Sequence, residues 1–129
     1  MKVPVWLDLR DALALHEMML GNYGGLAGIR DEGLLDLALN KPRTKFGYRC
    51  EDLFELAAAY TAGVVLNHPF LDGNKRTGFM LGVGFLELNG FEFAAEEVAA
   101  VVETVALAAG QIKEADYAKW LQENSRPSR

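Results

Sequence analysis

A chain of 129 residues, 50% hydrophobic and 24% charged, has the size and composition of one folded domain with a sizeable core, which excludes a fibrous repeat and wholesale disorder. Its net charge of -5 excludes a general nucleic-acid binder, because neutralising a nucleic-acid backbone takes a broad basic face. The apolar stretches meet Asn67, Lys75 or Glu87 before the ~20 residues of a membrane helix, the N-terminal stretch carries Asp8, Arg10 and Asp11 where a signal peptide needs an apolar run, and Cys50 alone forms no internal disulfide, so the cytoplasm is the expected compartment and a membrane is not an expected partner.

In chain order, Asp8 is read as the N-cap of a first helix through about Leu20, with Leu9, Leu13, His16 and Leu20 at helical spacing and Gly21 ending it. A loop with three glycines spans 22–28. Asp31 caps a second helix whose Leu34, Leu35, Ala38 and Leu39 form one face and which Pro42 closes. The stretch 42–50 is then a basic and aromatic loop, with Lys41, Arg43, Lys45 and Arg49 expected to be solvated. A third helix runs from about Glu51 to Asn67, because Leu53, Leu56, Ala57, Tyr60 and Val64 repeat at three and four residues. Pro69 disfavours helical dihedrals at His68 and ends it. A fourth helix starts near Asn74, is apolar on nearly all sides from Phe79 to Leu88, and carries Gly78, Gly82 and Gly84 where neighbours could approach closely. Asn89 and Gly90 stop it, and 91–93 is at most a short extended piece. A fifth helix from about Glu96 to Ala109 ends at Gly110, and a sixth from about Lys113 to Gln122 packs Tyr117, Trp120 and Leu121. The expectation is one all-α domain over residues 1–129, frayed from about 123.

The stretch His68 to Gly78, HPFLDGNKRTG, concentrates chemistry between two apolar helices. Asp72 and Gly73 form a turn signal just before a buried helix, so the amides of Gly73 to Lys75 point outward from a helix N-terminus, a ready anion site. Lys75 and Arg76 add two positive charges, which suit phosphate. A carboxylate beside a phosphate cradle repels it unless a divalent cation lies between, which makes Asp72 a candidate Mg²⁺ ligand. His68, forced out of its helix, is placed to take the proton of an attacking hydroxyl. Taken singly, each residue has a plainer reading: Asp72 or Asn74 as a helix cap, His68 as a hydrogen-bonded surface histidine, Phe70 as a core anchor. Together they are the parts needed for phosphoryl or nucleotidyl transfer.

HPFLDGNKRTG resembles the signature of the Fic/Doc family, HxFx(D/E)GNGR in the Fic branch and HxFxxxNKR in the Doc (death-on-curing) branch. The segments YGGLAGIRDEGLLDLAL at Tyr23 to Leu39, DLFELAAAY at Asp52 to Tyr60 and FLELNG at Phe85 to Gly90 are similar to the Doc-type pattern in the same order, so the resemblance covers roughly Leu7 to Leu121. It implies a six-helix Fic core with the motif loop between two central helices, and an activity on ATP with Mg²⁺. The general-base role falls on His68, the metal-holding carboxylate on Asp72, the anion-hole positions on Gly73 and Asn74, and the phosphate-binding arginine on Arg76. Lys75 stands where AMP-transferring members have the second glycine of GNG; it fills the room that glycine leaves for a diphosphate and supplies its own charge. In the Doc branch, which shares this lysine, the resemblance implies a toxin that transfers the γ-phosphate to a threonine of elongation factor Tu and halts translation. AMP transfer to another protein hydroxyl, or a nucleotide-binding regulator without transfer, are the alternatives.

Fic proteins are often restrained by a helix carrying (S/T)xxxE(G/N). Thr44, Thr61, Thr77 and Thr104 are followed four residues later by Tyr48, Val65, Leu81 and Ala108, so no restraint of that kind is read in cis. A small antitoxin acting in trans, through a disordered segment that folds into a groove of this domain, is therefore expected. Arg30 and Asp31 are placed near the target-docking side, with Asp31 also read as a simple cap. His16 is read as a satisfied core histidine, and Cys50, with no base beside it, as no nucleophile.

Overall fold

The sequence LAAAYTAGVV, Leu56–Val65, is small and apolar on every side, and all ten of its residues are buried. It is the middle of the central helix in the computed structural model, which describes residues 2–128. The elements are α1 Leu9–Tyr23, α2 Glu32–Gly47, α3 Leu53–Asn67, α4 Asn74–Leu88, β1 Phe91–Phe93, α5 Glu97–Ala108, α6 Glu114–Glu123 and β2 Ser125–Pro127. The fold is all-α in class, as expected, with the motif loop joining the two helices of the core that lie closest together. Met1 and Arg129, the ends of the expected 1–129 range, lie outside the described residues.

Side chains set where the helices begin. Asp8 caps α1 in a reciprocal box with Asp11, Asp31 accepts from the Leu34 amide, and Asp52 accepts from the Phe54 and Glu55 amides. Three boundaries differ from the sequence reading. Gly21 does not stop α1, which runs one more half-turn to Tyr23 and ends at Gly24, φ +77°. Its buried stripe is Ala12, His16 and Met19, while Leu9 and Leu13 face outward.

Pro42 does not close α2. It lies inside the helix and is buried. Proline removes one backbone bond there, yet Leu35, Ala38 and Leu39 before it and Phe46 after it all pack on the core, so continued burial outweighs the lost bond. The basic stretch is accordingly helical through Gly47. Lys41 and Lys45 both pair with Glu114 of α6, Lys45 Nζ at 3.0 Å, and the Arg43 guanidinium lies 5.5 Å over the Trp6 ring. Burial pushes the Glu114 carboxyl up, but the two lysine hydrogen bonds and charges outweigh it and hold it below its ordinary value.

The third difference is the tail. Residues Ser125–Pro127 pair antiparallel with Phe91–Phe93, Phe91 opposite Pro127 and Phe93 opposite Ser125, and the Ser128 amide donates to the Gly90 carbonyl at 2.8 Å. The short extended piece after α4 has unpaired backbone groups of its own, and the tail satisfies them.

Close approach of α3 and α4 fixes the loop between them. A Cβ at Gly78 would lie 2.9 Å from Val65 Cγ1, and one at Gly82 would lie 2.5 Å from Thr61 Oγ1 and 3.1 Å from the Ala57 carbonyl. Gly84 has no such neighbour; its nearest contact would be Leu7 at 3.9 Å. The Thr61 hydroxyl donates to the Gly78 carbonyl at 2.7 Å across the same seam. Gly82→Ala is therefore expected to force the helices apart and to cost about 1–3 kcal/mol, read as a lowered midpoint of thermal unfolding, whereas Gly84→Ala is expected to be neutral or mildly stabilising.

Candidate active site

His68 is the residue at which α3 stops. Its amide still donates to the Val64 carbonyl at 3.0 Å, but its backbone turns left-handed, φ +50° and ψ +59°. A non-glycine residue held there costs on the order of 1 kcal/mol or more, so something must hold it. Arg30 does: its Nε donates to the His68 carbonyl and its Nη2 to the Asn67 carbonyl, both at 2.6 Å. The Arg30 and Asp31 amides both donate to the Pro69 carbonyl, at 2.7 and 3.0 Å, and Ile29 bridges to Phe70. The imidazole of His68 is exposed and, among the described residues, receives no hydrogen bond.

The loop that follows is closed on itself by Asn74. Its Oδ1 accepts from the Phe70 amide and its Nδ2 donates to the Phe70 carbonyl, each at 3.0 Å, which pins the Phe70 ring into the core. That ring stacks on His16 at 3.9 Å and 11°. The His16 Nε2 lies 2.8 Å from the Asp72 carbonyl. Gly73 is the N-cap of α4, φ +74°, and among the described residues no side chain caps the helix, so neither Asp72 nor Asn74 is the cap that the plainer sequence reading allowed. The first-turn amides of α4 are left open to an anion.

Asp72 is held from two sides. Its Oδ2 accepts from the Leu26 amide at 3.1 Å and its Oδ1 from the Gly73 amide at 2.8 Å. These two bonds, the Leu26 one first, with Arg76 nearby, hold its carboxyl below the ordinary value of 3.8, so it is a carboxylate at any physiological pH. Each oxygen has a lone pair to spare. The glycine-rich loop can deliver the Leu26 amide only because residue 25 has no side chain: a Cβ at Gly25 would lie 2.7 Å from Asp72 Oδ2.

His68, Asp72, Gly73, Asn74, Lys75 and Arg76, the residues to which the sequence reading gave catalytic, phosphate or metal roles, line one cavity of about 620 Å³, within the range of small-molecule sites, while Arg30 and Asp31 do not. The far wall is α5, through Glu97, Val101, Thr104 and Val105, and α1 contributes Met19 and Tyr23. The Arg76 guanidinium sits 4.4 Å over the Tyr23 ring, which holds it at the rim. Lys75 is exposed and makes no ion pair among the described residues. Among the described residues no three His, Cys, Asp or Glu side chains gather as a metal cage. One free carboxylate beside an anion cradle does fit Mg²⁺, which keeps most of its waters and takes the rest of its ligands from nucleotide phosphates.

Sequence reasoning missed the parts brought from elsewhere in the chain: the His16 bond, the Tyr23 ring, the Leu26 amide and the α5 wall. Tyr23 and Gly25 lie in the YGGLAG run, whose glycines were the available signal. Asp31 is the cap of α2, and Arg30 anchors the His68 turn through carbonyls. Cys50 donates to Glu55 at 3.2 Å, and burial and that carboxylate raise its pKa, so it stays a thiol.

Comparison with known proteins agrees with the geometry. A protein-family model described as the Fic/DOC family matches residues 6–86. The chain is similar to the "Protein kinase doc" of Escherichia phage P1, 33% identical over 114 residues, which cover 87% of this chain and 89% of that protein. It is also similar to the "Toxin Doc" of Mycolicibacterium smegmatis, 37% identical over 93 residues, covering 70% of this chain and 69% of that protein.

Proposed function

This chain belongs to the Fic/DOC family, and on that footing we propose that it is a Doc-type toxin, a protein kinase that moves the γ-phosphoryl group of ATP to a Thr or Ser hydroxyl of elongation factor Tu and so blocks translation in the cytoplasm. One observation supports the reading: an imidazole with no hydrogen bond and a helix N-terminus with no side-chain cap among the described residues, a fixed carboxylate and two cations line a single cavity of small-molecule size. We take residues 1–129 as one domain of this type.

In this reading the first-turn amides of α4 at Asn74 and Lys75, with Arg76, hold phosphate oxygens, Gly73 gives the turn that exposes them while its own N–H holds Asp72, and Tyr23 keeps Arg76 at the rim. Asp72 is the carboxylate that would hold Mg²⁺, whose chemistry when bound is to neutralise charge on the phosphates. His68 takes the proton of the target hydroxyl; the hydroxyl oxygen bonds to the γ-phosphorus, the bond to the β-bridging oxygen breaks and ADP leaves. Lys75, exposed at the same rim, supplies charge to the transferred group where AMP-transferring relatives have glycine. The test is a cell-free translation mixture: added protein with ATP should arrest it, and fresh elongation factor Tu should restore it. Arrest that fresh factor does not relieve would remove the target, and no arrest would remove the toxin reading.

The proposed antitoxin has a surface to meet. Val98, Val101, Val102 and Val105 form one stripe along α5 and are all exposed, from 72% at Val98 to 42% at Val105. Val101 and Val105 also line the cavity, so an amphipathic segment laid on the stripe would close it. Val102→Asp, on the stripe but outside the cavity lining, is expected to leave the toxin active while raising the dissociation constant of its antitoxin by about 10-fold or more, measured by titration calorimetry; unchanged affinity would move the antitoxin elsewhere.

A further inference from the structure

We infer that His16 is a positioning residue for the motif loop, one that sets the Asp72 carboxylate and the start of α4 without touching a nucleotide. The inference rests on the kinase reading for its activity arm only.

His16 sits in the middle of α1, 5% exposed, behind the loop and outside the cavity lining. A carbonyl can only accept, so the 2.8 Å contact with the Asp72 carbonyl requires Nε2 to carry the proton. The same ring stacks on Phe70 and abuts Gly73, where a Cβ would lie 3.7 Å from its Nε2. One imidazole therefore touches the loop at three places.

The consequence follows from the peptide bond. The Asp72 carbonyl and the Gly73 N–H lie in one peptide plane and point in opposite directions within it. Fixing the carbonyl on His16 fixes the Gly73 N–H, and that N–H donates to Asp72 Oδ1 at 2.8 Å. A rotation of this peptide would release the carboxylate from one of its two holders, leaving the Leu26 amide alone, and would turn the N-cap of α4. Among the described residues His16 is the only side chain bonded to the Asp72 carbonyl. A residue needed for packing alone would not bring a polar nitrogen into this site, where an apolar ring would fill the space without a desolvation penalty.

The experiment compares the full-length wild type with His16→Phe, which keeps the stacking ring and loses the donor, and His16→Gln, which restores an N–H near the position of Nε2. Melting temperature, ATP affinity with and without Mg²⁺, phosphoryl transfer, and the Gly73 amide resonance are measured on each. His16→Phe is expected to weaken Mg²⁺-dependent ATP binding by about 10- to 100-fold, with a much smaller change in metal-free binding and a displaced Gly73 resonance. His16→Gln is expected to recover most of both. In the wild type, the His16 ring should be the Nε2–H tautomer by ¹⁵N NMR. Wild-type affinity and resonance in His16→Phe, no recovery in a folded His16→Gln, or an Nδ1–H tautomer in the wild type would each overturn the inference. If His16→Phe does not fold, the tautomer and the His16→Gln affinity decide. A wild type that binds Mg²⁺ and ATP but transfers no phosphoryl group removes the kinase reading and leaves His16 judged on binding and resonance. One that does not bind ATP leaves it judged on the Gly73 resonance and the tautomer.

Discussion

His68→Asn is expected to cut phosphoryl transfer sharply and leave the fold standing. The imidazole is exposed and, among the described residues, without a hydrogen bond, so removing it takes nothing from the core. The backbone is what a careless substitution would disturb, since His68 is left-handed and its carbonyl is held by Arg30. Asparagine tolerates that conformation better than other non-glycine residues and has no base at the position of the ring nitrogens. General-base catalysis contributes about 10²–10⁴-fold, and a loss in that range is expected in single-turnover transfer, with the melting temperature and ATP affinity near wild type. Activity within a few-fold of wild type would remove His68 from the chemistry.

Asp72→Asn should make ATP binding insensitive to Mg²⁺ and reduce transfer by about 10³-fold, several kcal/mol of charge stabilisation being at stake where a metal neutralises phosphate. An asparagine carbonyl can still accept from the Leu26 amide, so the loop should keep its shape while the charge is gone. The pH dependence is separable. The Leu26 and Gly73 amides depress the folded-state pKa of Asp72 below 3.8, so the stability it contributes is present above that value and lost as pH falls through the lower, folded one. Mg²⁺-dependent affinity should therefore not fall through protonation of Asp72 at any pH above about 4. A side-chain ¹³C titration of the folded protein that places the Asp72 carboxyl above 3.8 would contradict the arrangement.

The parts of this molecule that were legible in the sequence are those whose causes are local. Asp8, Asp31 and Gly90 act on their own helix ends, Pro69 expels His68 from α3, and the apolar surround of α4 announces a buried helix. The candidate site residues from His68 to Arg76 were readable as a group because one short stretch carries them all. What was not legible depends on distant partners. Pro42 reads as a stop until the burial of α2 on both sides of it is known, and 125–127 reads as frayed until β1 offers it an edge. His16 reads as a core residue because nothing nearby in sequence shows that Asp72, 56 positions away, will need a donor. Tyr23, Gly25 and the valines of α5 complete the cavity by the same long-range route.

In the proposed reading Lys75, exposed in the cavity lining, is the residue on which phosphoryl and AMP transfer divide, since a lysine there takes the room that a glycine would leave for a diphosphate against the backbone. The most direct measurement is the intact mass of elongation factor Tu after incubation with this protein, ATP and Mg²⁺. The expected result is the gain of a single phosphoryl group on a Thr or Ser, absent with His68→Asn. A gain of one AMP, or no gain from protein that binds ATP, would contradict it.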